Sequence, residues 1–453
     1  MWAQAGPNAD LPVGRIIEKV SVAGRTEQSY ALYLPSRYSA GERWPIVYAF
    51  DPMARGAAPV ERMKAAAEQY GYIVAGSNNS KNGPVQPNGE AAQAMWKDTH
   101  AKLSIDDRRI YFAGFSGGAR VAASLAQNCK CAAGVFLSGA GFGLNQPPTR
   151  DVVFPVFLTA GLTDFNYGEL VELDAKLREL GFAHFLQRFD GPHDWAPAEV
   201  WPEAFAWADL GAMKSGTLPK DQAFVAAELK NFADRAKGTA DKGEIYFAAQ
   251  VYDESAASFE GLAATDALME RRAALERDAK YAAQRKREKE EIQEQSTVQR
   301  EIERSMADLA TAGPDHYAAE RTAFDAARDL RSHAQKEKDA AERRVLERAR
   351  MGIFVGLIEA ASPLLDGKDL DLARIYLQLA TEARPEAARA HVMLASCFMK
   401  LGKRREAVQA LRKAKEAGLS AEELARLPAE QAEFAGLAED SAFRKLLGST
   451  PHR

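Results

Sequence analysis

Cysteine is scarce in this chain, which has three among its 453 residues. Cys129, Cys131 and Cys397 are too few for a disulfide-stapled scaffold, and their spacing matches no zinc-binding pattern. We therefore predict that Cys129 and Cys131 are small core residues at the end of a helix. We expect no metal ion and no other cofactor.

Long apolar runs and a strong net charge are missing as well. No stretch reaches the roughly 18–20 apolar residues of a membrane-spanning helix. The 59 Lys and Arg nearly balance the 63 Asp and Glu, for a net charge of −4, so no overall basic field is present to hold nucleic acid. We expect a soluble globular protein of two or three domains, with no membrane span and no nucleic-acid partner.

The amino-terminal tail, MWAQAGPNADLP over residues 1–12, has small residues of the kind found where a secretory signal ends. This pattern predicts a secreted or periplasmic protein. A natural cytosolic start is the alternative, and it implies a cytoplasmic protein.

Residues 13–212 alternate short β-branched or aromatic runs with helical patterns. Such alternation predicts an α/β three-layer sandwich, in which helices cover both faces of a mostly parallel sheet. No helical pattern separates the first two predicted strands, YALYLP and WPIVYAF, so we expect them to form an antiparallel hairpin at the sheet edge. The predicted strands are 30–35, 44–50, 71–77, 109–114, 133–139, 154–161 and 183–189.

Strand patterns nearly disappear beyond Trp207, where the composition changes. The Gly, Ser and Pro of GAMKSGTLPKDQ predict a linker, which we place at 213–222. An α-helical domain is then expected over 223–453. Within it, residues 265–361 are rich in Glu, Lys, Arg and Ala and predict a long charged helical hairpin, broken at AGPDH, residues 312–316.

A repeat with a period of 34 residues occupies about 354–420, counted from first positions at Phe354 and Ala388. Small, large and small residues recur in register on the second helix of each unit, which resembles a tetratricopeptide repeat. Such repeats imply a protein partner or a role in substrate access. The matching pairs are Ala373 with Ala407, Leu377 with Leu411, and Ala380 with Ala414.

A serine between glycines follows one of the predicted strands, in RRIYFAGFSGGARVAASLA, residues 108–126. A tight strand-to-helix turn at GFSGG would raise Ser116 above the carboxyl edge of the sheet, with Gly114 and Gly118 avoiding steric clashes. The backbone N–H of Gly117 would then face an oxyanion at the start of the helix. A plain structural turn is the alternative.

A nucleophilic serine needs a general base and a group that orients this base. In such a sheet the order along the chain is nucleophile, acid, histidine. Asp164 follows the strand FPVFLTAG, and His193 lies in the loop after the last strand, in FDGPHDWAP. We predict that Ser116, Asp164 and His193 form a catalytic set. Asp190 and Asp194 flank the histidine too closely to orient it easily and are expected to be structural loop acids.

These motifs resemble the α/β-hydrolase superfamily, in particular compact serine esterases related to polyhydroxybutyrate depolymerases and feruloyl esterases. The resemblance covers about 15–210 and implies cleavage of a small-molecule or polymeric ester through an acyl-enzyme. Such hydrolases usually carry His-Gly where this chain has Asp51-Pro52. Because proline has no N–H, the second oxyanion donor is expected at Met53 or a later residue. Asp51 would have to point away or pair, with Arg55 or Arg120 as candidate partners.

Three aromatic residues, Phe115, Phe165 and Trp195, are predicted near Ser116 and are candidates for a substrate pocket, with packing as the alternative. The expected function is a carboxylesterase. One alternative is a catalytically impaired hydrolase scaffold that acts through its repeats in protein interaction. Another is a peptidase or acyltransferase, because the same three residues do not choose between ester and amide.

Overall fold

The computed structural model describes residues 11–143, 145–151, 154–311, 317–367 and 369–448. Residues 1–10 of the signal-like tail and the predicted break at 312–316 lie outside the described residues. Among the helices within the described ranges, none combines the length and the apolar character needed to cross a membrane.

Eight strands form one mixed sheet in the described part of the chain. The spatial order is β1-β2-β4-β3-β5-β6-β7-β8. Strands β3 to β8 run parallel, whereas β2 is antiparallel to both β1 and β4. The strands are β1 Ile16–Val22, β2 Arg25–Tyr33, β3 Trp44–Phe50, β4 Ile73–Ser77, β5 Ile105–Phe115, β6 Ala132–Ser138, β7 Val156–Gly161 and β8 His184–Phe189.

The predicted hairpin between the first two strand patterns is wrong. YALYLP belongs to β2 and WPIVYAF to β3, but β4 lies between them and pairs with both. The hairpin partner of β2 is β1, which was not predicted, and the two are joined by a turn in which Gly24 has φ +72°. The half-exposed edge strand β1 lacks the continuous apolar run that marks the inner strands.

Helices cover the sheet, as the alternating pattern predicts. Helix α1 packs on α5, and α2 packs on α3. On α5, Trp201 and Phe205 are fully buried and lie 6.2 and 5.8 Å, between ring centroids, from Phe136 of β6. The helices are α1 Ala57–Tyr70, α2 Val85–Lys102, α3 Gly117–Cys129, α4 Tyr167–Leu180 and α5 Trp201–Lys214.

The chain divides into two compact units, one ending at Lys289 and the other beginning at Glu290. The first unit extends beyond the linker predicted at 213–222 because the next helices join the core of the sheet. Phe232 lies 5.9 Å from Phe185 of β8 and 5.3 Å from Phe259. These helices are α6 Gln222–Asp241, α7 Ile245–Phe259 and α8 Asp266–Glu276. The domain boundaries at 212 and 223 stay predictions.

The charged stretch 265–361 forms four helices. Asp278 and Asp339 each accept hydrogen bonds from backbone N–H groups at the start of the following helix, so the charged pattern is interrupted at both positions. The helices after α8 are α9 Ala279–Thr311, α10 Tyr317–Lys336, α11 Ala340–Ala361, α12 Leu370–Ala383, α13 Ala388–Lys400, α14 Arg404–Glu416, α15 Ala421–Glu430 and α16 Ser441–Leu447.

The 34-residue pattern coincides with buried helix faces in the second unit. The six matching positions have no exposed surface: Ala373, Leu377 and Ala380 on α12, and Ala407, Leu411 and Ala414 on α14. Small residues at these positions let neighbouring helices approach closely. The region is therefore built from packed helices.

Cys129 and Cys131 form a disulfide, which corrects the prediction that both are small core residues. Helix α3 ends at Cys129, and Lys130 adopts a left-handed conformation with φ +54°. This turn brings the two cysteine Cα atoms to 5.1 Å, within the range that a disulfide can bridge. Cys129 is exposed, whereas Cys397 is a buried free thiol.

Glu203 of α5 is expected to make stability depend on pH. Burial raises the pKa of its carboxyl to about 7, although Arg235 Nε lies 2.9 Å away and acts in the opposite direction. A raised pKa means that the folded state favours the protonated acid. The contribution of protonated Glu203 to the free energy of unfolding is therefore complete below the ordinary pKa near 4.5 and is lost as the pH rises to about 7.

We expect Glu203→Gln to flatten the fall in the free energy of unfolding between pH 4.5 and 7, by about 1–3 kcal/mol. Urea unfolding at a series of pH values measures this difference. The exposed Glu199 offers a control, and Glu199→Gln should leave the profile unchanged. Equal slopes for the Glu203→Gln variant and the unaltered protein would contradict the prediction.

Candidate functional site

Ser116 lies on the turn that joins β5 to α3. Its backbone has φ +53° and ψ −123°, a strained conformation for a residue with a side chain, which typically costs about 1–3 kcal/mol. The Ser116 N–H donates to the Ser138 carbonyl oxygen at 2.9 Å. Hydrogen bonding to the end of β6 thus holds the strained turn in place.

Two glycines leave no space for a side chain around this turn. A Cβ atom at Gly114 would lie 2.0 Å from the Gly118 carbonyl oxygen, and one at Gly118 would lie 2.0 Å from the Phe50 carbonyl oxygen. Because both obstacles are backbone atoms, they cannot move aside cheaply. The glycines therefore let α3 start directly against the ends of β3 and β5.

Asp164 and His193 form a buried pair beyond the ends of β7 and β8. Asp164 has no exposed surface, and its Oδ1 accepts hydrogen bonds from His193 Nδ1 at 2.8 Å and from the Asn166 N–H at 2.8 Å. The imidazole lies between the rings of Phe115 and Phe165, at centroid distances of 4.6 and 4.4 Å. With Nδ1 engaged by the carboxylate, Nε2 is the ring nitrogen left for proton transfer.

Gly139, directly after β6, links the serine turn to the histidine pair. With φ +64°, it lies so close to the pair that a Cβ atom there would be 3.0 Å from Asp164 Oδ2 and 3.1 Å from His193 Cε1. The preceding residue, Ser138, accepts the Ser116 N–H. The fold thus brings Ser116, Asp164 and His193 to the same carboxyl edge of the sheet.

Asp51 is fully buried directly after β3, with its charge compensated. Its carboxylate accepts hydrogen bonds from Arg55 Nε and Nη2, each at 2.9 Å, and from Trp195 Nε1 at 2.9 Å. The hydrogen bond with Asp51 raises the pKa of the Arg55 guanidinium. Of the two predicted partners, Arg55 is the one found, because Arg120 pairs with Glu169 at 2.9 Å.

The backbone donors after β3 are also engaged with Asp51. The Met53 N–H donates to Asp51 Oδ1 at 2.9 Å, and the Ala54 N–H donates to the Asp51 carbonyl oxygen at 3.2 Å. The Met53 N–H, which was expected to stabilise an oxyanion, thus donates to Asp51 instead. Gly117 is the first residue of α3, where backbone N–H groups have no partner within the helix.

The three predicted pocket residues lie around His193 and Asp51, and their role in a substrate pocket stays a prediction. Phe115 and Trp195 are 5 and 2% exposed, and their ring centroids are 6.0 Å apart. Phe165 is half-buried against His193. These rings position His193 and Asp51.

A cleft of about 580 Å³ borders Gly117 and was not predicted. The loop after β4 contributes Lys81, Asn82 and Asn88, and the segment after β6 contributes Asn145 and Gln146. The sequence signal was SNNSKN, a run of polar residues directly after a buried strand that ends at this edge. Among the described residues, no three His, Cys, Asp or Glu side chains are grouped as a metal site.

Comparison with known proteins gives only structural likenesses. No protein-family model and no curated protein sequence matches the chain. A fluorophosphonate-binding serine hydrolase of Staphylococcus aureus is similar at 12% identity and a TM-score of 0.34, over 40% of this chain and 92% of its own. A ferulic acid esterase is similar at 14% identity and a TM-score of 0.35, over 43% of this chain and 97% of its own. An esterase from Pyrobaculum calidifontis is similar at 17% identity and a TM-score of 0.33, over 45% of this chain and 85% of its own.

Proposed function

We propose that this chain is a serine hydrolase of the α/β-hydrolase type that cleaves carboxylic esters. Ser116 is the nucleophile, His193 the general base, and Asp164 the residue that orients His193. The observation that carries this proposal is the 2.8 Å hydrogen bond between His193 Nδ1 and buried Asp164, at the sheet edge where Ser116 occupies a strained turn. The chain order of nucleophile, acid and histidine agrees with it.

In the proposed reaction, the Ser116 hydroxyl attacks the ester carbonyl carbon while His193 Nε2 takes the hydroxyl proton. The carbonyl oxygen becomes an oxyanion, which the Gly117 N–H stabilises at the start of α3. His193 then gives its proton to the departing alcohol, and an acyl-Ser116 ester forms. Water, activated by His193, attacks this ester to release the acid and restore Ser116.

Asp164 has two effects in this scheme. Its hydrogen bond selects the tautomer of His193 that carries a proton on Nδ1, so that Nε2 can accept one. Its buried carboxylate also stabilises the imidazolium that forms during attack. The bond from the Asn166 N–H to Asp164 Oδ1 fixes the carboxylate in turn.

For the second unit, we propose that the helices after about residue 354 form tetratricopeptide-like repeats that bind a protein partner. The burial of all six matching small and large positions supports this assignment. A groove of about 1200 Å³ is bordered by α12, α13 and α14. It is lined by acidic and basic side chains, including Glu382, Glu386, Arg412 and Lys413. A groove of this size can accept an extended peptide.

Labelling with a fluorophosphonate probe tests the hydrolase function. We expect one probe per chain, attached to Ser116, and no labelling of the Ser116→Ala variant, because the probe needs an activated hydroxyl. Ser124, about two turns further along α3, provides the control. Ser124→Ala should label like the unaltered protein.

Mapping of the modified peptide completes this test. A probe found on another serine would contradict the assignment of Ser116. Correctly folded protein that does not react would favour the alternative of a hydrolase scaffold without activity.

A further inference from the structure

The geometry points to the side-chain amide of Asn82 as the second oxyanion donor of the proposed active site. This inference rests on the proposed function and adds a catalytic residue to it. In the hydrolytic scheme above, one donor is the Gly117 N–H. A tetrahedral intermediate is usually stabilised by at least two donors.

The loop after β3 has no uncommitted donor at the expected position. Pro52 has no N–H, the Met53 N–H donates to Asp51 Oδ1, and the Ala54 N–H donates to the Asp51 carbonyl oxygen. The Asp51 carboxylate is itself buried and held by Arg55 and Trp195, so it cannot turn away to release Met53. A side chain from a neighbouring element can supply the second donor in place of these backbone groups.

Asn82 is anchored to this same loop. Its N–H donates to the Pro52 carbonyl oxygen at 2.8 Å, and the neighbouring Lys81 forms an antiparallel bridge with Met53. The loop after β4 is in this way attached to the segment that lacks a donor. The side chain of Asn82 extends from this attachment towards Gly117 at the start of α3.

The amide of Asn82 lies against Gly117. A Cβ atom at Gly117 would be 1.8 Å from Asn82 Oδ1 and 3.4 Å from Nδ2. Rotation of the amide by 180° exchanges the oxygen and nitrogen positions, so either can face the cleft. The Asn82 Nδ2 group can therefore donate to an oxyanion that also accepts from the Gly117 N–H.

The geometry also gives a reason for glycine at position 117. Any larger residue there would displace the Asn82 amide from the start of α3. Ser116, Gly117 and Asn82 thus form one arrangement, in which the nucleophile and both donors meet at one helix end. The amide supplies the stabilisation that a backbone N–H after β3 cannot.

The test compares second-order rate constants for fluorophosphonate labelling of Ser116, because phosphonylation also builds negative charge on an oxygen beside Ser116. We expect Asn82→Ala to lower this rate constant about 10²- to 10³-fold. Asn82→Asp should be at least as slow, since a carboxylate donates nothing and repels the oxyanion. For p-nitrophenyl acetate, kcat should fall by a similar factor with KM nearly unchanged.

Gly117→Ala provides an independent variant, because it keeps its N–H and displaces Asn82. We expect a similar loss in this variant and little further loss when it is combined with Asn82→Ala. Asn128, an exposed asparagine at the far end of α3, is the control, and Asn128→Ala should react normally. Circular dichroism checks that each variant is folded.

The outcomes separate the two proposals. If the unaltered protein labels at Ser116 and Asn82→Ala labels equally fast, the assignment of Asn82 is wrong while the hydrolase function stands. If the unaltered protein does not react, the hydrolase function fails, and the role of Asn82 fails with it. Additive losses in the double variant would also overturn the shared arrangement.

Discussion

Replacing His193 by alanine is expected to lower kcat for ester hydrolysis by about 10⁴- to 10⁶-fold. The variant lacks the only base that we place beside Ser116, so the hydroxyl must attack without losing its proton to the protein. KM should change little, because the substrate contacts stay in place. The measurement is steady-state hydrolysis of p-nitrophenyl acetate together with fluorophosphonate labelling, both on protein checked for folding.

His184 offers a matched control at the other end of β8. Its Nε2 lies 3.2 Å from Asp174 Oδ1, so it too is a buried histidine facing an aspartate. This pair lies at the amino end of the strand, far along β8 from the edge that holds Ser116. We expect His184→Gln to change kcat by less than about threefold. Equal losses in the two variants would show that His193 acts through stability instead of proton transfer.

Asp164→Asn should give a partial form of the same defect. The amide keeps the size of the side chain and removes the charge that stabilises the imidazolium. We expect kcat to fall by up to about 10⁴-fold, with the folded structure preserved.

Replacing Asp51 by alanine is expected to destabilise the protein by about 2–4 kcal/mol, because buried donors lose their acceptor while the partly exposed Arg55 can be solvated. The carboxylate has no exposed surface and accepts hydrogen bonds from Arg55, Trp195 and the Met53 N–H. Its removal would leave the guanidinium and the buried indole N–H without their acceptor. Urea unfolding, followed by circular dichroism, measures the loss.

Asp51→Asn distinguishes charge from shape. The amide can still accept from Trp195, but it cannot neutralise Arg55, so we expect a smaller loss of about 1–2 kcal/mol. Arg55→Ala should also cost stability, because it leaves the carboxylate of Asp51 buried without its cation. If Asp51→Ala unfolds at the same urea concentration as the unaltered protein, the carboxylate is not a structural anchor.

In the sequence, Asp51 suggested an impaired site, and its contacts in the fold remove the reason for this expectation. Without contacts, an acidic residue next to a developing oxyanion is unfavourable. In the fold, four hydrogen-bond donors surround the carboxylate, and one of them comes from Trp195, 144 residues away. Sequence proximity could indicate Arg55 as a partner but not Trp195.

Several features could be predicted because they depend on local sequence. The apolar strand patterns, the glycines around Ser116 and the 34-residue repeat each state a local steric or burial requirement. The ends of parallel strands meet at one edge, so the predicted order placed Ser116, Asp164 and His193 on that edge before any distance was known. Their chemical roles stay predictions.

Other features depended on contacts between distant segments. The pairing of β2 was mispredicted because β4 lies between β2 and β3 although it follows both in the chain. The Cys129–Cys131 disulfide depends on a left-handed Lys130, which the composition does not indicate. The cleft beside Gly117 is formed by two loops about 60 residues apart in the chain.

Most of the strands, the candidate residues and their order along the chain could be predicted from the sequence, because local sterics and the periodicity of burial depend on neighbouring residues. Which hydrogen-bond donors are available to that site depends on the fold. Asp51 takes the Met53 N–H, and Asn82 is brought against Gly117 by a hydrogen bond to Pro52. A hydrogen-bond donor serves one strong acceptor at a time, and contacts between distant segments bring that acceptor near.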